Sequence, residues 1–310
     1  MQVNIKNPNI YRATLPAAAV VAEHLASLPF EEMEIGSSLL ATHGFLPNPA
    51  TNELVTPFHG GYAFFLRRDE KVIPAGEVKK EFNRRIKVMI DAGTPVTRKD
   101  KQAIKDDVVA TLATRAFTRP TVIECYYNQD ADLLFITGSP KLAQFTLAQI
   151  LKCLGTMTTS TIHVDGIKRG LTTCLQAFQK KAIDEGEECG KSEFAELEVC
   201  ETIILQHPET GEGLALDNID PLACVELDSA LKRGFLITSI RLLDVSGMAF
   251  TLTNEFRLQR IKWPSVDHQD DDDAVHRWRN EAAVQLLQLT SVVERLCQLL
   301  GAPVESTSEA

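Results

Sequence analysis

The chemistry that this sequence offers most clearly is the binding of an anion by clustered cations. Residues 94–121, TPVTRKDKQAIKDDVVATLATRAFTRPT, contain six basic side chains: Arg98, Lys99, Lys101, Lys105, Arg115 and Arg119. Ammonium and guanidinium groups bind carboxylates and phosphates through charge-assisted hydrogen bonds. The spacing therefore indicates either a site for an anionic partner or an ordinary solvated helix surface.

Charge is distributed unevenly along the chain. The whole sequence has 32 basic and 42 acidic residues, a formal net charge of −10. The segment from Arg67 to Arg119 has 14 basic and 8 acidic residues, a balance of +6, which leaves −16 for the rest. An acidic protein repels polyanions at long range, but a basic segment can bind one locally.

Two helices are predicted to position these cations. The first follows Pro74 and runs to about Ala92, with an apolar side formed by Val78, Phe82, Ile86 and Met89. The opposite side carries Lys80, Arg84 and Lys87. Asp91 is the only acidic residue that this interpretation places near the basic side, so the cations are predicted to lack salt-bridge partners.

The second predicted helix runs from Thr97 to about Thr114, and residues 93–95 join it to the first in a helical hairpin. Thr97 and Asp100 resemble a capping pair. The first turn carries Arg98, Lys99 and Lys101, where the helix dipole disfavours each cation by roughly 0.3 to 1 kcal/mol. Local stability therefore does not explain these cations. The packing residues are Ile104, Val108 and Leu112.

The segment after the hairpin alternates Arg115, Phe117 and Arg119 with small residues. In an extended chain, all three side chains would project on one side. Phe117 is either an ordinary core aromatic or an interface anchor, a role that aromatic residues often fill.

No catalytic constellation, cofactor site or metal site is predicted. The stretch GEECGKS, residues 186–192, has one residue too few between its glycines for a phosphate-binding loop. The run Asp267 to Asp273 indicates a solvated loop with Asp273 as a helix N-cap, with hard-metal binding as the alternative. His163 is predicted to be a strand residue rather than a catalytic base, and the seven widely spaced cysteines are predicted to be reduced thiols.

The remaining pattern predicts an α+β protein. Strands are expected at residues 2–13, 53–68, 71–74, 121–138 and 160–164 and in the run 235–263, and helices at 17–28, 139–155 and 274–301. Residues 180–196 are polar and acidic and are predicted to form a linker. The N-terminus does not resemble an export signal, and no apolar run reaches about 18 residues, so we expect no export and no membrane span.

Several of these segments together resemble the RdgC family of recombination-associated proteins. They are RKDKQAIKDDVVATLATRAFTR, the two strands after it, LLFITGSPKLAQFTLAQILKCLG, and RLQRIKW followed by an acidic loop and a C-terminal helix. The resemblance is clearest from about Thr97 to Gly155 and weakest from about Gly166 to Asp217. Its most specific piece is the lysine-rich helix that ends in R-A-F-T-R.

The resemblance implies a multi-subdomain, horseshoe-shaped α+β subunit with antiparallel sheets flanked by helices and a protruding helical hairpin. Two subunits would close as a ring-shaped homodimer around double-stranded DNA, bind it with little sequence preference, and limit access of the RecA recombinase. Such a protein would be cytoplasmic and associated with the nucleoid. The expected units are residues 1–73 and 115–165 of a central α+β domain, the basic hairpin 74–114, and a second α+β domain, 166–310.

Carried over residue by residue, the resemblance assigns Phe117 to the dimer contact. The implied DNA-binding residues are Lys80, Arg84, Lys87, Arg98, Lys99, Lys101, Lys105, Arg115 and Arg119. Where relatives can have a Lys-Lys-Gln stretch in the later domain, this chain has the apolar and acidic LALDNIDPLACVE, residues 214–226. Lys232 and Arg233 are the substitutes that we expect there.

Three hypotheses for the function remain open from the sequence. The first is a DNA-binding ring without enzymatic activity. The second is a metal-dependent nuclease that uses the carboxylates of residues 267–273. The third is a protein-interaction adaptor whose basic helices contact an acidic partner.

Overall fold

The computed structural model describes residues 3–93, 95–162, 167–185, 196–264 and 273–300. Within these ranges the chain forms two antiparallel sheets and seven helices, which confirms the predicted α+β class. No helix in these ranges is long and apolar enough to cross a membrane.

The first sheet is built from the N-terminal half of the chain. Its strands are β1 (Asn9–Thr14), β2 (Ala41–Leu46), β3 (Val55–Phe58), β4 (Gly61–Lys71), β5 (Thr118–Asn128), β6 (Leu133–Ile136) and β7 (Thr158–Thr161). Their order is β2-β4-β5-β6-β1-β7, and β3 also pairs with β4. The central pair, β4 and β5, stays in register from Gly61 opposite Asn128 to Lys71 opposite Thr118.

The first half of strand β4, Gly61 to Leu66, is buried on both faces because its side chains alternate between two hydrophobic clusters. Tyr62, Phe64 and Leu66 belong to the cluster on one face, whereas Ala63 and Phe65 belong to the cluster on the other. The sheet is therefore the middle layer of the N-terminal half.

Helices α1 (Ala18–Leu25) and α4 (Pro140–Leu154) cover the face that carries Tyr62 and Phe64. Helix α4 begins at Ser139, whose Oγ accepts a bond from the Leu142 amide at 3.4 Å, and it is followed by Gly155 at φ 80°. These are the ends that the sequence predicts.

The second sheet lies in the C-terminal half. It consists of β8 (Glu198–Gln206), β9 (Gly213–Leu216), β10 (Leu236–Leu243), β11 (Ala249–Thr253) and β12 (Leu258–Lys262), in the order β12-β11-β10-β8-β9. Helix α5 (Ile167–Glu185) packs on β10, where Thr172 Oγ1 accepts a bond from the Ile237 amide at 2.9 Å. Helix α6 (Val225–Lys232) contributes Leu227 and Ala230 to the same core.

Helix α7 (Ala274–Leu299) joins the two halves, because one hydrophobic cluster contains its buried residues together with residues of both sheets. The Trp278 ring lies 6.2 Å from the rings of Phe58 and Phe65. Asn128 Nδ2 at the end of β5 donates to Thr290 Oγ1 at 3.0 Å. Gly61, which pairs with Asn128, must be a glycine because a Cβ there would stand 2.0 Å from the Tyr127 carbonyl oxygen of β5.

Several predicted boundaries were wrong, such as the helix predicted for 17–28, which ends at Leu25, and the strand predicted from residue 121, which begins at Thr118. The linker predicted for 180–196 is helical as far as Glu185, since Lys180 to Glu185 are adequate helix formers and the first breaker is Gly186. The first strand begins only at Asn9, after Asn7 at φ 45° and Pro8. Strand β7 begins at Thr158 rather than residue 160.

Two adjacent leucines on α7 test its role in joining the halves. Leu286 is fully buried in the shared core, whereas Leu287 is 43% exposed. We expect Leu286→Ala to lower the free energy of unfolding by about 2 to 5 kcal/mol, because it leaves a cavity. The control, Leu287→Ala, should cost less than about 1 kcal/mol. Urea denaturation measures both, and equal losses would contradict the packing described here.

Candidate nucleic-acid interface

A helical hairpin projects from the end of the central strand pair. Helices α2 (Ala75–Asp91) and α3 (Arg98–Ala113) follow β4 and precede β5, so both ends of the hairpin start from neighbouring strands. This confirms the two predicted helices and nearly all of their bounds. No residue of α2 is fully buried, and its apolar side chains Val78, Phe82, Ile86 and Met89 are half-buried.

The basic side of α2 is exposed, but the prediction that it lacks acidic partners was wrong. Lys80 Nζ lies 3.9 Å from Glu77, and Arg84 forms an ion pair of 2.6 Å with Glu81. The partners are three residues earlier in the helix, a separation at which side chains on consecutive turns meet. Lys87 makes no ion pair with any residue that the structure describes.

Arg85 is a structural cation that the sequence analysis missed. It donates to Glu81 of its own helix at 2.9 Å and reaches across to Asp107 and to Thr111 Oγ1 of α3. Arg85 therefore links the two helices. Its position beside Phe82 and Ile86 on the apolar side of α2 was the available signal, because a cation there faces the neighbouring helix.

Helix α3 carries its cations on an exposed first turn, as predicted. Thr97 and Asp100 form a reciprocal capping box, with the Thr97 amide donating to Asp100 Oδ2 at 2.9 Å. Hydrogen bonds from Thr97 lower the pKa of the Asp100 carboxyl. Arg98, Lys99 and Lys101 are exposed and make no ion pair within the described ranges. Lys105, one turn later, lines a cleft between the hairpin and the sheet.

Phe117 has a fixed backbone and a free side chain. Its carbonyl accepts a bond from the Val72 amide at 2.9 Å, and the neighbouring Ala116 carbonyl accepts one from Lys71 Nζ at 3.3 Å. The ring is nevertheless 88% exposed. The alternative that Phe117 is a core aromatic is therefore wrong for the single subunit, and its role as an interface anchor stays a prediction.

The residues on either side of Phe117 differ in their surroundings. Arg115 lines an apolar cleft of about 420 Å³ together with Phe117, Val72 and Leu112, and it makes no ion pair in the described part of the chain. Arg119 is exposed and lies 3.7 Å from Glu70. The predicted alternation thus gives one free and one partly neutralised arginine.

Lys232 and Arg233 lie on the second sheet's side of the molecule, at the end of α6. Arg233 is 3.7 Å from Glu212 and stacks over the Phe235 ring at 5.2 Å. Lys232 is exposed, without an ion pair among the described residues. Arg233 is therefore partly engaged within its own subunit.

The candidate enzymatic sites fall largely outside the described residues. These include His163, the stretch 186–192 and the acidic run 267–272. Asp273 is described, and it caps α7 as predicted, with its Oδ1 accepting a bond from the Val275 amide at 3.4 Å. Within the described ranges, no group of three or more His, Cys, Asp or Glu side chains could hold a metal ion.

A family model and several relatives with similar sequences all point to the same protein family. A family model described as "Putative exonuclease, RdgC" matches residues 3–303. A recombination-associated protein RdgC of Psychromonas ingrahamii is 24% identical over 282 residues, 86% of each chain. Its namesake in Actinobacillus pleuropneumoniae serotype 3 is 29% identical over 74% of this chain and 82% of its own. The recombination-associated protein RdgC of Neisseria meningitidis serogroup C is 24% identical over 93% of this chain and 94% of its own.

The ion pairs of Glu81 predict its titration. Hydrogen bonds from Arg84 and Arg85 lower the pKa of this carboxyl from 4.5 to about 2. Because the pKa is lowered on folding, the stabilisation is complete above the unfolded-state pKa and is lost as the pH falls towards about 2. Side-chain NMR should therefore show the Glu81 carboxyl group still ionised at about pH 4, where the carboxyl groups of free glutamates become protonated.

The control for this titration is the variant Arg84→Gln with Arg85→Gln, in which the pKa of Glu81 should return towards 4.5. A titration midpoint near 4.5 in the unaltered protein would show that neither arginine holds the carboxylate in solution.

Proposed function

The chain belongs to the RdgC family, and from that premise we propose that it binds double-stranded DNA through its helical hairpin, with little preference for sequence. The observation that carries this proposal is that several exposed hairpin cations have no ion-pair partner among the described residues, among them Lys87, Arg98, Lys99 and Lys101. Three of them stand at the end of α3 where the helix dipole disfavours a cation. An external polyanion supplies the counter-charge that the described fold does not.

Duplex DNA has the right charge density for such a surface. It presents about one phosphate charge per 1.7 Å of axis, and proteins that neutralise phosphates release condensed counterions. Contacts to phosphates carry no direct sequence information. We therefore expect binding that depends strongly on salt and weakly on sequence, with Lys80, Arg84, Lys105, Arg115 and Arg119 as further contacts.

The proposed active form is a homodimer. An exposed aromatic ring on a fixed backbone, beside an apolar cleft, has the character of an interface anchor. Two horseshoe-shaped subunits that meet through Phe117 would close a ring and place two hairpins around one duplex. Lys232, with Arg233 in a lesser part, would supply the contacts from the second domain.

In this account the protein limits RecA-type recombination by occupying the duplex. A closed ring denies other proteins access to the DNA that it surrounds, without chemistry on the DNA. The place of action that follows is the bacterial nucleoid in the cytoplasm. The relatives' printed names, recombination-associated protein, support this setting.

The family description, which names an exonuclease, supports a second candidate. A nuclease would use the carboxylates of residues 267–273 with a divalent metal. Plasmid and linear duplex incubated with the protein and magnesium or manganese distinguish the two. Cleavage that disappears in the double variant Asp270→Ala, Asp272→Ala would establish the nuclease. It would contradict the proposal that the protein acts only by occupying the duplex.

The direct test of DNA binding is a mobility-shift titration with duplexes of unrelated sequence and with single-stranded DNA at two salt concentrations. We expect similar affinity for all duplexes and a steep loss at the higher salt. No retention of any duplex at low salt would contradict the proposal and favour a protein-interaction adaptor.

Removing two α3 cations tests the interface itself. We expect Arg98→Ala with Lys101→Ala to weaken binding equally across sequences and to reduce the salt slope by roughly 0.9 per lost phosphate contact. The control is Lys141→Ala with Lys152→Ala, which removes the same charge from exposed positions on α4. If the control weakens binding as much as the test variant, net charge rather than the hairpin determines affinity.

Phe117→Ala tests the dimer. Because the ring is exposed in the single subunit, its truncation should leave circular dichroism unchanged but shift the protein towards monomer in sedimentation velocity. An interface anchor contributes at least about 2 kcal/mol to association. The complex with DNA should also dissociate faster, because an open subunit can leave the duplex directly, whereas a closed ring must open first. A variant that stays dimeric with unaltered DNA retention would show that the contact lies elsewhere.

A further inference from the structure

A cleft separates the helical hairpin from the first sheet. Its volume is about 800 Å³, within the range of sites that bind small ligands or peptide side chains. Both helices contribute to it, together with the end of β4 and the chain before β2. The larger apolar residues that line it, called the floor below, are Leu40, Ile73, Val78, Phe82 and Val109.

The charged lining of this cleft is mostly cationic. Its charged lining residues, called the rim below, are Arg68, Lys71, Lys79 and Lys105, with Glu70 as the single carboxylate among the described residues that line the cleft. Glu70 is already engaged, because it pairs with Arg68 at 2.5 Å and lies 3.7 Å from Arg119.

Lys79 and Lys105 are the cations of this rim that stay free. Lys71 donates to the Ala116 carbonyl, but neither Lys79 nor Lys105 makes an ion pair within the described ranges. They stand on different helices, α2 and α3, at the edge of one apolar floor.

We propose that this cleft docks an acidic, amphipathic peptide segment of a partner protein. Apolar side chains of the segment would cover the floor, and its carboxylates would pair with Lys79 and Lys105. Amphipathic helices commonly bind apolar grooves in this way, through anchors spaced by one turn. Charge complementarity commits the site to an acidic segment, since a basic one would meet four cations.

A peptide suits this cleft better than duplex DNA does. The outer surface of a duplex is a line of solvated phosphates, which would leave the five floor residues without an apolar partner. Lys105 belongs to both the cleft and the proposed DNA-binding set, so an acidic segment in the cleft would compete with duplex for this cation.

The test uses the full chain and a panel of short fluorescein-labelled peptides in which aspartates alternate with leucine or phenylalanine at helical spacing. Fluorescence anisotropy measures their affinity. Two control peptides each retain one of these properties. One keeps the aspartates but has serine in place of every apolar residue, and the other keeps the apolar residues but has asparagine in place of every aspartate. We expect saturable binding of the amphipathic acidic peptides and at least about tenfold weaker binding of both controls.

Matched pairs of variants locate the binding in the cleft. Leu40 lines the floor, whereas the adjacent Leu39 does not, and the two are similarly exposed at 51% and 58%. Lys79 lines the rim, whereas Lys80 lies outside it. Leu40→Asp and Lys79→Glu should each abolish peptide binding, while Leu39→Asp and Lys80→Glu should retain it.

The same variants separate this proposal from the DNA-binding one. Lys80→Glu should weaken duplex binding and leave peptide binding unchanged. Leu40→Asp should abolish peptide binding and leave duplex binding unchanged. The peptide site is refuted if no acidic amphipathic peptide of the panel binds, if the acid-only peptide binds equally well, or if Leu39→Asp and Leu40→Asp are indistinguishable. If Leu40→Asp instead abolishes duplex binding, the cleft is part of the DNA interface.

Discussion

The antiparallel pairing of β4 with β5 is the interaction on which the rest of the structure depends. The ladder runs the whole length of both strands and ends at Lys71 opposite Thr118, at the base of the hairpin. One further bond, from the Val72 amide to the Phe117 carbonyl, extends it beyond the last pair. Because residues Gly61 to Leu66 of β4 are buried on both faces and the ladder continues without a break to Lys71, this strand pair is a rigid base. The hairpin, Phe117 and the cleft are all positioned by it.

The hairpin itself has little core of its own. Helix α2 buries no residue completely, and α3 buries only Val108 and Ala113. Its geometry therefore depends on polar links such as the one from Arg85 to Asp107, and on its attachment to the ladder. A projecting element of this kind exposes a large fraction of its surface. That property suits it to contact a partner, since the cations on its surface need no rearrangement to become accessible.

Cations on the two helices have different consequences for binding. Arg84 and Arg85 share the carboxylate of Glu81, so part of the charge of α2 is neutralised within the helix. Arg98, Lys99 and Lys101 have no such partner among the described residues. A count of charges along the sequence treats all of these residues alike. The structure shows that α3, and not α2, supplies most of the free charge.

Local signals account for what the sequence predicts well. The capping box at Thr97, the Ser139 and Gly155 ends of α4 and the Asp273 cap of α7 each involve residues close in sequence. The sequence-based prediction missed β2, α5, α6, β8 and β9, because these segments combine short apolar runs with polar stretches. Their apolar side chains are nevertheless buried in the two hydrophobic clusters. The prediction also misjudged the basic side of α2, since whether a nearby glutamate pairs depends on side-chain conformation. The roles proposed for Phe117 and for the hairpin cations depend on the family resemblance, because charge and exposure alone fit several partners.

The most direct test of the central claim is lysine acetylation footprinting of the protein with and without duplex DNA, read by mass spectrometry. The account predicts that duplex protects Lys80, Lys87, Lys99 and Lys101 on the hairpin, while Lys141 and Lys152 on α4 react as they do in the free protein. If DNA binds and the hairpin lysines stay fully reactive, the hairpin is not the interface and the account is wrong.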